Sequence, residues 1–514
     1  MQTNFGTLDW IIVCLYGVGS IGIGLICRKY IRNMSDYLVA GRSVRLWLGV
    51  ATLTGTELGL VTIMYNAEMG FRNGFAALHI GIVVALCSLF IGLTGFIVSR
   101  LRQEGVMTIP EYYGRRYGKD VRVLGGIMLA LSGILNMGLF LKMGAIFVQH
   151  VLGLEPDGDK LKLVMSVMLV LVLLYTALGG LVSVIFTDFV QFLVVGGGLI
   201  VATGYCLFSE QLGWHRMVEA VVQNPAFEGA KPTRGFDPLA VGDFGWIYIV
   251  WMVAVNLSAC ALWFPGTTRA LSSKDHGTAK RLFAWSALSY FARVAFPVMW
   301  GVAAFVLVSN TPELKAQFFP DVGEPVLGSK DAMPILFARV IPSGLLGLLA
   351  AGMMAAFMST HDSYLLAWSA VITQDIVAPL RKRPMSTRGR IWLTRALIIA
   401  IGLFLLLWGL WFEIEDSVWN YMAGTGTIYL AGALSCVGAG LYWKRASRMG
   451  ARAALVAGIL GVGTMIPWER LGYPGVDVRL IAVLTFALAI VGMVACSLIF
   501  PDRPAAEPEE APSE

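Results

Sequence analysis

The sequence predicts an all-α integral membrane protein, and its composition and the spacing of its apolar residues carry that prediction. Of the 514 residues, 57% are hydrophobic and 14% are charged, a balance that soluble globular proteins of this length do not have. The apolar residues fall in blocks of about 20 or more, the length that an α-helix needs to cross a bilayer. The net charge of +6 comes from basic residues in the loops, so we expect a lipid bilayer and no nucleic acid as a partner.

Hydropathy and length predict about thirteen transmembrane helices. The predicted spans are residues 8–27, 46–71, 74–101, 122–150, 160–178, 181–208, 245–265, 280–309, 343–376, 391–412, 417–443, 450–468 and 478–500. The first has Arg28 and Lys29 after it and no basic residue before it, so we expect an uncleaved first span rather than a signal peptide.

The basic residues of the loops predict the orientation. They cluster after every second span, at 28–32, 100–119, 269–281, 381–390 and 444–448. Because cytoplasmic loops carry an excess of Lys and Arg, we expect a multi-pass protein of the cell (inner) membrane with its N-terminus outside and its C-terminus in the cytoplasm. The outer side would then hold residues 209–244, 310–342 and the acidic stretch 413–416.

The span from 345 to 376 has one face that lacks large hydrophobic side chains. Small and hydroxylated side chains recur there at helical spacing: Gly352, Ala356, Ser359, Thr360 and Ser363. Hydroxyl oxygens are hard ligands that suit Na⁺, although small residues are also common where membrane helices pack. Asp362 lies in the same span, and an ionisable group inside a membrane span indicates a functional site.

Two spans are predicted to be broken. Residues 54–57 read Thr-Gly-Thr-Glu, and Pro265 follows Trp263 in the seventh span. Unwound backbone at membrane depth survives where it lines a cavity or an ion site, and proline ends or breaks a helix. For the second span a flexed but continuous helix is the alternative. The broken spans are five apart and of opposite orientation, which suggests two inverted repeats.

These features divide the chain into six predicted parts. They are an extra helix and cytoplasmic linker (1–45), repeat 1 with core helices 1–5 (46–208), an extracellular loop (209–244), repeat 2 with core helices 6–10 (245–443), two C-terminal helices (444–500) and a disordered tail (501–514).

Further polar residues inside the spans are candidates for binding. Asp188 shares a helix face with Thr187 and Gln191 and reads as an ion-path residue, with structural capping as the alternative. Glu57 and Arg293 would either pair with each other or clasp a zwitterionic substrate. The remaining predicted substrate contacts are Asn256, Trp263, Asn420 and Tyr421.

Seven segments in chain order resemble the sodium:solute symporter family. They are SDYLVAGR (35–42), TIPEY (108–112), RRYG (115–118), YTALGG (175–180), TDFVQ (187–191), RALSSK (269–274) and AAFMSTHDS (355–363). The resemblance implies a LeuT-like fold of five plus five helices in inverted repeats, with the first and sixth core helices broken. It departs from the family's sugar carriers at residues 263–268, which read WFPGTT where those carriers have a polar Asn-Gln-Tyr cluster.

The resemblance also implies a sodium site between the first and eighth core helices. Its ligands would be the carbonyls of Ala51, Thr54 and Ala356 and the hydroxyls of Ser359 and Thr360, and Asp188 would lie along the cytoplasmic exit of the ion.

We therefore expect a transporter that uses Na⁺ as its coupling ion and carries a small polar organic solute by alternating access. The alternatives are an H⁺-coupled transporter of the same fold, a channel, or a membrane-embedded enzyme. A channel lacks support because no repeated filter is visible in the sequence, and an enzyme because no His, Cys and Asp residues have catalytic or metal-ligating spacing. The sequence leaves open whether the solute is a sugar, an amino acid, a carboxylate, a vitamin or an amine.

Overall fold

The computed structural model describes residues 2–27, 39–155, 158–223, 235–240, 243–411, 418–463 and 478–502. Within these ranges the chain is helical and has no strand, apart from an isolated bridge between Val44 and Ser273. The linker residues 28–38, the acidic stretch 413–416 and the tail beyond 502 lie outside the described residues. An all-α fold is confirmed for the described part of the chain.

Ten helices make up the first half of the chain. They are α1 (Thr7–Cys27), α2 (Leu46–Glu57), α3 (Leu60–Asn73), α4 (Leu78–Thr94), α5 (Val98–Gln103), α6 (Ile109–Tyr117), α7 (Lys119–Asn136), α8 (Phe140–Val151), α9 (Gly158–Phe208) and α10 (Trp214–Gln223). Core helix 1 is therefore α2 with α3, and it is broken as predicted.

Ten further helices follow. They are α11 (Trp246–Leu262), α12 (Phe264–Ser272), α13 (His276–Asn310), α14 (Pro312–Phe318), α15 (Ala332–Val340), α16 (Leu345–Val371), α17 (Thr387–Trp411), α18 (Val418–Tyr442), α19 (Arg448–Gly463) and α20 (Val478–Ile499). A π-helical turn, Ile372–Val377, continues α16. Core helix 6 is α11 with α12, bent by 43° at the break.

The predicted number of thirteen transmembrane helices is not confirmed. In the described ranges, eight helical stretches are long and apolar enough to cross a membrane, and the bent pair α11 and α12 would make a ninth. The predicted spans 160–178 and 181–208 form one continuous helix, α9. The predicted boundary between the two spans fell at residues 179 and 180, both glycine, but a glycine pair without a proline does not by itself end a helix.

Helix α16 lies at the centre of the molecule. In its span 83% of the most apolar stretch is buried inside the protein, against 28% in α17. Helix α9 packs along it, and α1 contacts both. Asp9 of α1 fixes the start of α16, because its carboxylate accepts hydrogen bonds from the backbone N–H groups of Gly344 (2.7 Å) and Gly347 (2.6 Å) and from the hydroxyl of Ser343 (2.6 Å).

Glycines let neighbouring helices approach closely, as is usual in membranes. A Cβ on Gly301 of α13 would lie 1.9 Å from the carbonyl oxygen of Ala67 in α3, and a Cβ on Gly70 of α3 would lie 2.1 Å from that of Val298. The contact between α3 and α13 is therefore backbone against backbone, which positions the second half of core helix 1.

We predict that Gly301→Ala destabilises the protein by about 1–3 kcal/mol or more, because its methyl group meets backbone that cannot rotate away. The measurement is the thermal unfolding midpoint of the purified protein in detergent. Gly197→Ala in α9 is the matched control, since no atom lies within 4 Å of the added Cβ and alanine favours a helix. An unchanged midpoint for Gly301→Ala would contradict the close packing.

Candidate functional site

The break in core helix 1 lies at Leu58 and Gly59. Leu58 has φ −93° and ψ 59°, Gly59 has φ −76° and ψ 156°, and α3 begins at the next residue. The sequence placed the break at residues 54–57, so the predicted position was early by a few residues. Residues 54–57 remain helical, and their last carbonyl groups lose their partners in the next turn because the helix stops there.

Hydroxyl groups of α16 satisfy two of these carbonyls. Ser359 donates to the carbonyl of Gly55 at 2.9 Å, and Thr360 donates to that of Thr56 at 3.3 Å. Both hydroxyls also lie within hydrogen-bond distance of the carbonyl of Ala356. A Cβ on Gly59 would lie 2.5 Å from the Thr360 hydroxyl oxygen, so only glycine permits this approach. The face predicted from spacing meets the predicted broken helix.

The two other predicted sodium ligands are placed differently. The hydroxyl of Thr54 donates to Ser289 at 2.9 Å, and its carbonyl already accepts from the backbone N–H of Leu58 at 2.8 Å. Ala51 is buried one turn earlier in α2. The carbonyls of α2 that accept from hydroxyls of α16 are those of Gly55 and Thr56, in the last turn before the break. A sodium role for Ala51 and Thr54 stays a prediction.

Core helix 6 breaks at Trp263, as predicted from Pro265. Trp263 has extended backbone (φ −71°, ψ 113°), and Pro265 lies in the first turn of α12, where a missing N–H costs nothing. The Thr267 hydroxyl is within 3.1 Å of the carbonyl of Ala261, so a side chain again covers a carbonyl at the break. The indole N–H of Trp263 donates to the Tyr364 hydroxyl of α16 at 2.8 Å.

One buried guanidinium joins four helices in what we call the Arg269 cluster. Its members are Arg269 of α12, Asp188 of α9, Thr52 and Thr56 of α2, and Ser363 of α16. Arg269 donates to Asp188 and to Ser363, both at 2.8 Å, and Asp188 accepts from Thr52 at 2.6 Å. Arg269 is 1% exposed and Asp188 is not exposed.

Sequence reasoning missed the role of Arg269. We expected it in a basic cytoplasmic loop, whereas the structure buries it inside α12. The signal was available, since Asp188 lay alone in an apolar span and a buried carboxylate needs a cationic partner. In this conformation the ion pair with Arg269 holds the carboxylate of Asp188 in place. An ion-path role for Asp188 stays a prediction.

A cavity of about 90 Å³ lies between the two breaks. We call it the central cavity, and its lining includes Thr56, Glu57, Thr62, Tyr65, Asn136, Phe140, Asn256, Trp263, Arg293, Thr360, Tyr364, Trp419, Met422 and Gly426. Aromatic rings form much of its wall. Among these lining residues the charged ones are Glu57 and Arg293. The cavity is smaller than the usual ligand pocket of about 300–1,000 Å³, so in this conformation it leaves room for only a small group.

Glu57 and Arg293 form an ion pair in the wall of the central cavity. Arg293 donates to Oε2 of Glu57 at 2.9 Å and to its backbone carbonyl at 3.1 Å. The guanidinium also lies over the ring of Tyr290, 4.2 Å from its centroid. The two side chains keep 15% and 13% of their surface exposed. Of the two predicted alternatives for this pair, the structure shows pairing, and it places the pair in the wall of the central cavity.

The remaining predicted substrate contacts divide into two groups. Asn256 and Trp263 line the central cavity, with the amide of Asn256 donating to the carbonyl of Met252 in its own helix. Asn420 and Tyr421 do not line it, and Tyr421 instead donates to the carbonyl of Leu135 at 2.6 Å. A role for Asn420 and Tyr421 in binding the solute stays a prediction.

The face of α18 that meets the cavity repeats at three or four residues, as a helix requires. Its lining residues are Trp419, Met422, Ala423, Gly426 and Leu430. Tyr364, another missed residue, follows Thr360 by one turn of α16, so extending the polar face by four residues would have found it.

A model of the sodium:solute symporter family matches residues 37–461. A sodium/mannose cotransporter of Bos taurus is 26% identical over 96% of this chain and 87% of its own length. Sodium/glucose cotransporter 1 of Oryctolagus cuniculus is 26% identical over 96% of this chain and 79% of its own. A sodium/glucose cotransporter of Vibrio parahaemolyticus is 22% identical over 97% and 92%.

Solved structures confirm the predicted LeuT-like fold. A Na⁺-coupled sialic acid symporter in a substrate-bound, outward-open state superposes with a TM-score of 0.78 at 18% identity, covering 97% of this chain and 99% of its own. A transporter of the nucleobase-cation-symport-1 family superposes with a TM-score of 0.53 at 11% identity, covering 90% and 94%. The chain therefore belongs to the sodium:solute symporter family, whose members are Na⁺-coupled transporters and not enzymes.

Proposed function

We propose that this protein carries a small polar organic solute together with Na⁺ across the cell membrane by alternating access. Na⁺ would bind at the break of core helix 1, and the solute would bind in the central cavity. The observation that carries the proposal is the contact of Ser359 and Thr360 with the carbonyls at that break. The Na⁺ gradient and the membrane potential would supply the driving force, about 2.3 kcal/mol per charge and 100 mV.

The oxygen atoms around the break suit a small hard cation. Carbonyl groups of Gly55, Thr56 and Ala356 surround the hydroxyls of Ser359 and Thr360 within about one hydrogen-bond distance of each other. Carbonyl and hydroxyl oxygens are neutral hard ligands, and in this fold unwound carbonyls at a broken helix are the usual ligands of the coupling ion. We propose these five residues as the ligand set, with Ala51 and Thr54 as further candidates.

Two residues connect the proposed ion site with the central cavity. Thr56 and Thr360 contact each other at the break and also line the cavity. Thr56 further reaches the Arg269 cluster, where its hydroxyl lies 3.2 Å from Asp188. Binding of Na⁺ at the break would therefore fix two side chains of the solute cavity, which gives coupling a direct physical route.

The cavity wall favours a solute without net charge. Glu57 and Arg293 neutralise each other, so a net charge on the solute would leave one charge unpaired in a mostly apolar space. A zwitterion can exchange the internal pair for two intermolecular pairs, and a neutral polar solute can hydrogen-bond to the intact pair. The aromatic rings of Trp263, Tyr364 and Trp419 would pack against the solute's apolar faces.

We predict that Ser359→Ala and Thr360→Ala each raise the Na⁺ concentration for half-maximal uptake about ten-fold or more. Removing one ligand from a water-free site costs about 1–3 kcal/mol of binding free energy, and a loss of about 1.4 kcal/mol weakens binding ten-fold. The measurement is solute uptake into proteoliposomes as a function of Na⁺. Thr176→Ala is the matched control, because that buried hydroxyl bonds to the carbonyl of Val172 in its own helix. Wild-type Na⁺ dependence in both variants would place the ion site elsewhere.

We predict that cysteines at Lys382 and Val322 react with membrane-impermeant maleimide from opposite sides of the membrane. Both side chains are exposed, and the single long span Leu345–Leu380 lies between them. Lys382 belongs to a basic loop and should be labelled from the cytoplasm, and Val322 from outside. The parent protein, with only its native cysteines, sets the background. Labelling of both from one side would contradict the proposed orientation.

A double-mutant cycle separates support of the fold from solute contact at the ion pair. We predict that Glu57→Gln and Arg293→Gln each lower the thermal unfolding midpoint, because each leaves one charge unpaired, and that the double variant recovers stability but not solute affinity. If Glu57 receives an amine, its loss affects amine-bearing solutes alone.

The control for this cycle is the exposed pair Arg72 and Asp243, at 3.2 Å with 37% and 41% exposure. Its doubly neutral variant, Arg72→Gln with Asp243→Asn, should change neither stability nor uptake. Wild-type solute affinity in the Glu57 and Arg293 double variant would limit the pair to a structural role.

A further inference from the structure

A second cavity, which shares no lining residue with the central cavity, lies at the side of the protein that holds the basic loops. Its volume is about 460 Å³. It opens between the ends of α6 and α7, the last turns of the span that begins with α16, and the start of α17. Its polar lining is Glu111, Arg115, Lys119, Arg122, Gln374 and Arg390. We call it the basic cavity.

The charges of the basic cavity do not cancel within it. Glu111 pairs with Arg115 at 2.6 Å, and Arg122 pairs with the buried Asp375 at 2.9 Å. Among the residues that the structure describes, no carboxylate lies within 4.0 Å of Lys119 or Arg390. Lys119 and Arg390, which lie far apart in sequence at the starts of α7 and α17, therefore bring two positive charges to the same cavity.

Two buried N–H donors of this wall also lack a partner in the described part of the chain. Gln374 is 4% exposed, and its carbonyl oxygen accepts from Nη1 of Arg390 at 2.9 Å. This bond fixes the orientation of the amide, so that Nε2 of Gln374 is left as a donor with no acceptor, as is Nε of Arg390. The amide and the guanidinium of this wall therefore keep unused hydrogen-bonding capacity.

The position of the cavity matches the level of lipid headgroups. Lys119 begins α7 and Arg390 lies in the first turn of α17, so both are at the ends of membrane-spanning helices. Large apolar side chains next to the cavity are exposed: Leu380 by 61% and Trp392 by 59%. Exposed tryptophan beside basic residues at a span's end is typical of the interface between lipid tails and headgroups.

We propose that the basic cavity binds the phosphate group of an anionic phospholipid. The phosphate would lie between the ammonium group of Lys119 and the guanidinium of Arg390, which no described carboxylate neutralises, while the acyl chains would lie along Leu380 and Trp392. Basic cavities between transmembrane helices on the cytoplasmic side are suited to such headgroups. The proposal rests on the orientation given above and does not depend on the identity of the transported solute.

The test uses the purified full-length protein, stripped of lipid in detergent. Binding is measured by native mass spectrometry and by the thermal unfolding midpoint, with phosphatidylglycerol, phosphatidylcholine or inorganic phosphate added. We expect phosphatidylglycerol to bind and to raise the midpoint. Lys119→Gln and Arg390→Gln should each weaken its binding about five-fold, the equivalent of ~1 kcal/mol per charge near the membrane surface.

Arg388→Gln is the matched control, because this exposed arginine lies in the same first turn of α17 but does not line the cavity. Lys119 is also exposed, so its variant tests the cavity without disturbing packing. Equal binding of phosphatidylglycerol by all four proteins would overturn the proposal. An equal effect of inorganic phosphate, lost in the same two variants, would assign the cavity to free phosphate and overturn the lipid as its source.

Discussion

The carbonyl groups at the break of core helix 1 need partners, and much of the fold follows from that need. Inside a membrane no water is available to backbone groups that a helix leaves unpaired. Here Ser359 and Thr360 supply the donors, which requires α16 to lie against the break and Gly59 to leave room for it. Among the eight candidate membrane spans of the described residues, the one with the largest buried share is thus also the one with these hydroxyl groups in its middle. Packing and polar chemistry select the same face.

The Arg269 cluster adds an electrostatic condition to this arrangement. A guanidinium and a carboxylate that are both fully buried are stable only as a pair, since either one alone would be an uncompensated charge. The pair connects α12 with α9, and its hydroxyl partners belong to α2 and α16. Any other conformation of the transporter must either keep the pair together or provide both charges with new partners. The cluster therefore limits how the two repeats can move relative to each other.

The sequence predicted those features that local rules determine and missed those that depend on distant residues. The hydroxyl face of α16 followed from helical spacing, and Pro265 located the second break because proline acts on its own helix. The first break contains no proline, and contacts with α16 decide where it falls. The rotation that brings Trp419 rather than Tyr421 to the cavity depends on packing, and the burial of Arg269 depends on Asp188, 81 residues away. None of these is visible in a local window of sequence.

Asp9 of the first helix has a consequence for the order in which the protein is made. Its carboxylate accepts from the N–H of nearby Gly6 and from Ser343, Gly344 and Gly347, and Gly347 follows it by 338 residues. At about 5–20 residues per second, the ribosome needs roughly 17–70 s to reach that point. For that time the carboxylate depends on water or headgroups at the membrane surface, since a lone carboxylate is poorly tolerated in lipid. Helix α1 thus completes its contacts only when the eighth core helix has been made.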